Sequence, residues 1–354
     1  MTTKPDRKHP IYEHLGRHRS PIELVYFGET DESLPDEPNV FVFGEICFGS
    51  VRNDVKQDLP SHLLVHVPMS QLGGAPVREY WLSPTPIERH QYANVRFGVN
   101  EEILFGYTNF TLPTDGSSFE EQIRSHYMTV LNLLQSQDYP HLFRVWNYLP
   151  RIGDPIQGTE CYKRFCRARY HAFEAFFEDI IPNLPAASVL GSAGSDYQMV
   201  FAASRTTPWH YENPRQVSAY RYPQQYGPKS PLFARATLVG WPNRDILFIS
   251  GTASIIGHQS QHRGDAQAQA EEVIRNIEAL LEHISRAREM TALRLTDIRH
   301  LRVYIRDAGD LEPIRQLLER RISPDTQVIY VQANICRPEL LVEMEALLGG
   351  TKPG

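Results

Sequence analysis

The chain has 354 residues, 41% of them hydrophobic and 22% charged, with a formal net charge of −6. This composition excludes wholesale disorder, and the lack of any eighteen-residue apolar run excludes a membrane-spanning helix. A general nucleic-acid binder needs a basic surface, which the acidic balance opposes, and the length fits two domains or one large one.

In chain order, short apolar runs at Ile22–Phe27, Val40–Ile46, His62–Val67 and Glu79–Leu82, divided by Pro/Asp/Ser-rich turns, predict strands. Glu102–Tyr107 predicts a further strand. Phe119–Leu134 reads as a helix with Ile123, Tyr127, Val130, Leu131 and Leu134 on one side. His141–Leu149 is a strand, Tyr162–Phe177 an aromatic-rich helix, and Gln198–Ala203 a strand. The stretch Pro208–Pro231 holds five prolines and four tyrosines and reads as a long loop, which in a compact domain points to function or disorder. Ala236–Trp241 and Asp245–Ser250 form a hairpin across Pro242-Asn243. A loop with Gly251, Gly257 and Gly264 leads to a long helix over Ala266–Arg288, whose Val273, Ile277, Leu280, Leu281 and Ile284 recur at helical spacing. Ile298–Ile305 alternates as a strand. Leu311–Arg321 is a second amphipathic helix behind the N-cap candidate Asp310, and Gln327–Gln332 and Leu340–Leu347 are strands.

The resulting order, β-β-α-β-α-β-β, predicts a mixed sheet with helices on one face. The first half repeats it weakly at a period of about 140 residues, which suggests two copies of one domain. Chance recurrence of a common α/β order is the alternative. The expected division is 1–195 and 196–354.

Several residues could carry chemistry. Arg215, Tyr220, Arg221, Tyr222 and Tyr226 crowd the long loop, which runs into Arg235. Arginine offers a bidentate fork to a carboxylate and tyrosine a hydroxyl on an apolar face, so the cluster suits a small carboxylated ring. The plainer alternative is a loop packed by its own aromatics. Tyr162 and Arg169 lie two helical turns apart and point the same way, as one wall of an anion site or a helix edge; Arg167 points elsewhere. Glu343 and Glu345 share one face of the last strand, with Val342 and Met344 on the other. A carboxylate in so apolar a strand must be paired, exposed or functional. In a closed, poorly hydrated pocket its pKa rises, and it can donate a proton near neutral pH. Cys336 and Arg337 sit in the turn before it.

Other signals are absent. There is no Gly-rich phosphate loop and no G-x-S-x-G elbow. His258 and His262 are four apart, but in a Gly/Gln/Ser loop without helical character, so no metal site is expected. Cys47, Cys161, Cys166 and Cys336 fit neither a disulfide scaffold nor a zinc pattern. Met1–Pro10 lacks the apolar core of a signal peptide. A cytoplasmic protein with reduced thiols is expected.

The C-terminal run LFISG (Leu247–Gly251), the long helix, HLRVYIRD (His300–Asp307), the following helix and LLVEMEAL (Leu340–Leu347) resemble the YjgF/RidA fold over about 120 residues. Imine-deaminating members of that fold place an arginine where this chain has Thr326, which speaks against that activity. From about residue 20 to the end, the chain is similar to the chorismatases. The similarity rests on RVWNYLPRI (Arg144–Ile152), YKRFCRAR (Tyr162–Arg169), the Pro214–Ala236 loop, SGTASIIGH (Ser250–His258) and CRPELLVEME (Cys336–Glu345).

The resemblance implies an α/β protein of two tandem, diverged YjgF/RidA-like domains that releases pyruvate from the enolpyruvyl ether of chorismate. It implies Glu343 as the catalytic acid and Tyr162, Arg169, Tyr222 and Arg235 as substrate contacts, with no cofactor. Gly251 and Cys336 resemble the product-determining residues of the branch that makes 3-hydroxybenzoate. 4-Hydroxybenzoate as co-product or sole product, and hydrolysis to a dihydroxy-cyclohexadiene carboxylate, are the alternatives. A RidA-like imine deaminase and a non-catalytic metabolite-binding protein are the other readings. A monomer is expected, because an internal duplication can build within one chain the interface that simpler relatives make as trimers.

Overall fold

Successive side chains of a strand point to opposite faces, so a short strand buries one face, as in Leu63–Val67, where every second side chain is buried. The computed structural model describes residues 20–28, 40–49, 62–74, 76–242 and 244–351. Met1–Pro10 and Asn243 of the expected hairpin turn lie outside them. Four strands form an N-terminal sheet: β1 (Glu23–Gly28), β2 (Phe41–Phe48), β3 (Leu63–Val67) and β4 (Val77–Ser83), in the order β1-β4-β2-β3.

Two six-stranded sheets follow. The first takes β5 (Glu88–Tyr92), β6 (Val95–Val99), β7 (Ile103–Thr111), helix α1 (Gly116–Ser136), β8 (His141–Pro150), helix α2 (Cys161–Phe176), β9 (Ala186–Ser192) and β10 (Asp196–Ser204). The second takes β11 (Trp209–Tyr211), β12 (Ala236–Trp241), β13 (Arg244–Ala253), helix α3 (Ala266–Ala287), β14 (Ile298–Ile305), helix α4 (Leu311–Glu319), β15 (Gln327–Gln332) and β16 (Val342–Thr351). Their spatial orders are β5-β6-β7-β10-β8-β9 and β11-β12-β13-β16-β14-β15. Strand for strand these are the same topology. In both sheets only the last pair, β8–β9 or β14–β15, is parallel. The two halves are therefore copies of one arrangement, with Ile103 of β7 and Arg244 of β13 141 residues apart (244 − 103).

Two expectations change. Strand β10 pairs with β7 and β8, so a cut at 195/196 would remove a central strand from the first sheet; the sheets divide after Ser204. The Pro208–Pro231 stretch is also less irregular than its composition suggests. It contributes edge strand β11 and two single helical turns, Ala219–Arg221 and Gln224–Tyr226.

The helices cover the outer faces of the two large sheets. Phe119, Ile123 and Tyr127 of α1 pack on Val145 and Phe201, and Val273, Ile277 and Leu280 of α3 on Leu247, Val303 and Met344. The inner faces of all three sheets meet in one core, with Phe43, Val65 and Trp81 against Phe105, Tyr148 and Val200, and Phe248, Tyr304 and Val331. Among the described residues, no helix is long and apolar enough to cross a membrane.

This core contains a chain of charges. Arg302 on β14 donates to Glu79 of the N-terminal sheet and, at 2.5 Å, to Glu345 on β16. Glu345 in turn accepts from Arg144 on β8 at 2.5 Å. One ionic chain thus ties all three sheets. Removing one member leaves a charge buried without its partner. Arg302→Met is expected to lower unfolding free energy by about 3–5 kcal/mol, measured by urea denaturation. Loss of the exposed Arg286–Glu282 pair should be nearly silent in the same assay.

Candidate active site

A cavity of about 280 Å³ lies where the two halves meet. Helix α2 brings Tyr162 and Lys163 to it, and the long connecting loop brings Tyr222, Tyr226 and Phe233. The second half contributes Arg235, Gly251, Cys336, Arg337 and Glu343.

Glu343 reaches the cavity because β16 alternates. Val342, Met344, Ala346 and Leu348 turn to the helix-covered core, which leaves Glu343, Glu345 and Leu347 facing inward. Both glutamates are 5% exposed, but their surroundings differ. Glu345 accepts four hydrogen bonds. Arg144 Nη2 and Ser188 Oγ donate to Oε2, and Trp146 Nε1 at 2.9 Å and Arg302 Nη1 to Oε1. Burial alone would raise its carboxyl, but Arg302 and Arg144, with the Ser188 and Trp146 donors, hold it below the usual carboxylate value. Among the described residues, the Glu343 carboxyl has no such donor. Burial first, and then the charge of Glu345, push it up to about 8 against the pull of Arg144 and Arg235.

A β-bulge sets the position of that carboxyl. Ile249 pairs with Ala346 and Thr252 with Met344, so Ser250 and Gly251 on β13 stand opposite Glu345 alone. The bulge presents Gly251 to Glu343. A Cβ on residue 251 would overlap Glu343 Oε1 and lie 2.9 Å from its Cδ. Gly251 thus seats the Glu343 carboxyl.

Arg235 is buried in the cavity lining. Its Nη2 donates to Val217 O at 2.9 Å and to the Tyr222 hydroxyl at 2.8 Å, while its buried Nε has no partner. Arg337 donates to His258 O and Ser260 Oγ, and its guanidinium lies 3.9 Å from the centre of the Tyr226 ring. Burial pushes the Cys336 thiol up to about 12, with Glu343 adding to the effect, so it is a neutral thiol at physiological pH.

The structure therefore brings Tyr162, Tyr222, Arg235, Gly251, Cys336 and Glu343 to one cavity. It does not bring Arg169 to the wall. That guanidinium is buried behind it, 5.2 Å from the ring centres of both Tyr127 and Phe173, with Nε and Nη2 unpartnered. Arg215 also points away, to Glu272 at 2.6 Å and Asn276. Sequence reasoning missed the part played by Arg337 and the Arg144–Ser188–Trp146–Glu345 cluster. A signal was available: Arg144 is a charge within the largely apolar run Leu142–Trp146, much as Glu345 is in the last strand.

The duplication also identifies a twin position. Glu343 pairs with Tyr304 and Glu345 with Arg302. In the first sheet Gln198 pairs with Tyr148 and Val200 with Trp146. Each paired strand has its bulge just before Arg144 or His300, four residues short of the tyrosine. Gln198 is thus the first half's counterpart of Glu343. It cannot act as an acid, and its amide donates to His66 O.

The fold and site define an α/β protein of two copies in which a buried carboxyl with raised proton affinity lines a cation-flanked pocket. The family model for "Chorismatase FkbO/Hyg5-like, N-terminal" matches residues 79–203. A 3-hydroxybenzoate synthase of Streptomyces hygroscopicus is 34% identical over 283 residues, 77% of this chain and 82% of the relative. A chorismatase of Streptomyces rapamycinicus is 34% identical over 277 residues, 76% of this chain and 81% of the relative. A chorismatase crystal structure superposes with a TM-score of 0.84 at 29% identity, covering 92% of this chain and 98% of that one. The chain belongs to the chorismatase family.

Gly251→Ala should leave the fold intact but displace the Glu343 carboxyl, lowering kcat about a hundred-fold, the scale of a misplaced reacting group. Circular dichroism and steady-state kinetics on the same preparation check both halves of this expectation.

Proposed function

We propose that this protein converts chorismate to 3-hydroxybenzoate and pyruvate, with Glu343 as the acid. One observation carries the reading: a buried carboxyl with a pKa of about 8 faces a cavity that also holds the guanidinium groups of Arg235 and Arg337. Chorismate is a dianion with two carboxylates on and beside a small ring. Two arginines and the tyrosines Tyr162, Tyr222 and Tyr226 offer charge-assisted donors and flat apolar faces to such a molecule.

In the proposed reaction the Glu343 proton forms a bond to the methylene carbon of the enolpyruvyl group. The resulting cation weakens the bond between the ring and the ether oxygen. The neighbouring ring hydroxyl attacks as that bond breaks, pyruvate leaves with the electron pair, and the Glu343 carboxylate takes the hydroxyl proton. The arene-oxide-like ring then aromatises to 3-hydroxybenzoate. Atoms balance without water, and the acid is regenerated.

Gly251, Cys336 and the named synthase among the relatives support the 3-hydroxybenzoate branch, with 4-hydroxybenzoate as the alternative product. All three sheets come from one chain, which fits a monomer. The four free cysteines fit a cytoplasmic setting.

Incubation with chorismate and chromatography of the products tests the proposal. Equimolar pyruvate and 3-hydroxybenzoate are expected; a hydroxylated diene, or no turnover, would contradict it. Glu343→Gln should still bind chorismate but turn it over at least about a hundred-fold more slowly. Arg235→Lys loses one of two parallel donors and should lower kcat/KM at least about ten-fold, or roughly 1.4 kcal/mol.

A further inference from the structure

Two carboxyl groups on one buried strand face cannot both ionise cheaply, and their donors decide which one keeps the charge. Glu343 and Glu345 are two residues apart on β16, roughly 6.5–7 Å along a strand. All four partners of Glu345 are donors, which only an ionised, acceptor-only carboxylate satisfies on both oxygens. The groups that face Glu343 come from every element around it: Glu345 on its own strand, Tyr304 across on β14, Arg144 on β8, Arg235 before β12, Tyr162 on α2, and Cys336 in the turn. Glu160, Lys163, Arg337 and Glu339 line the same cavity, but among the described carboxylates Glu345 is the one whose charge acts on Glu343. Ser188 joins the two sites, because its hydroxyl donates to Glu345 and accepts from the Gly251 amide at 3.2 Å.

We infer that Glu345 is a positioning residue of the reaction: its saturated carboxylate is the fixed negative charge against which the Glu343 carboxyl keeps its proton. The inference takes its chemical meaning from the proposed function but not its test. Burial is the larger influence on Glu343, so loss of Glu345 should move the acid without returning it to an ordinary carboxyl.

The test is a pH titration of the Glu343 carboxyl band by difference infrared spectroscopy without substrate, using Glu343→Gln as the blank. The wild-type midpoint is expected near pH 8. Glu345→Gln, which keeps shape and removes charge, should lower it by at least about one unit. Glu345→Asp, which keeps the charge, should restore most of that difference. In turnover, the ratio of kcat at pH 8 to kcat at pH 6 should fall about five-fold in Glu345→Gln, the loss of protonated acid that a one-unit shift causes. A folded Glu345→Gln with an unmoved Glu343 band would overturn the inference.

If that variant does not fold, Arg302→Met removes a positive charge that acts on Glu345 and is not among those that pull on Glu343, and leaves three donors on Glu345. The Glu343 midpoint should then rise, and an unchanged or lower value overturns the inference. Band shifts as expected in a protein that does not turn over chorismate would sink the functional reading and leave this one standing. Turnover with an immobile band would do the reverse.

Discussion

The site depends on one constraint: two glutamates are buried side by side, and the surrounding donors allow only one of them to be charged. Glu345 receives four donors from three strands and, among the described residues, Glu343 receives none. The uncompensated member is left with a high affinity for its proton, and it is the member that lines the cavity. The same arrangement holds the molecule together, since Glu345 and Glu79 share Arg302 across sheets. Stability and proton affinity are therefore set by overlapping atoms, and changes to the ionic chain will not separate them cleanly.

The duplication explains why the cavity lies where it does. Each large sheet turns helices outward and a bare face inward, so the inner faces must bury one another, with the N-terminal sheet closing the third side. The cavity forms where α2 and β9 of the first half approach β13 and β16 of the second. The corresponding junction of the first half with the N-terminal sheet has Gln198 in place of the acid, hydrogen-bonded to His66. Of these two equivalent positions, only the one in the second half thus holds a carboxyl.

Much of this was legible in the residues. That Glu343 and Glu345 share one face followed from strand alternation, although not that this face is buried, and the helices followed from the spacing of apolar residues such as Val273, Ile277 and Leu280. What escaped was local pattern without hydrophobic contrast. Glu88–Tyr92 is exposed at every position and carries no alternation. The fate of Arg169 was likewise illegible, because helical periodicity gives a direction and not a depth. It points inward as expected, but rings of Tyr127 and Phe173 occupy its surroundings. The role of Glu345 required its donors, and Arg144, Ser188 and Arg302 lie 201, 157 and 43 residues away in sequence.

The most direct measurement of the central claim, that a protonated Glu343 begins the reaction, is the pH dependence of kcat for the unmodified protein with saturating chorismate. An acid of this kind predicts a rate that is flat through pH 6 and 7 and falls through a single ionisation near pH 8 as the proton is lost. A rate that climbs from pH 6 to 9 would mean that the deprotonated form is the active one, and would contradict the account.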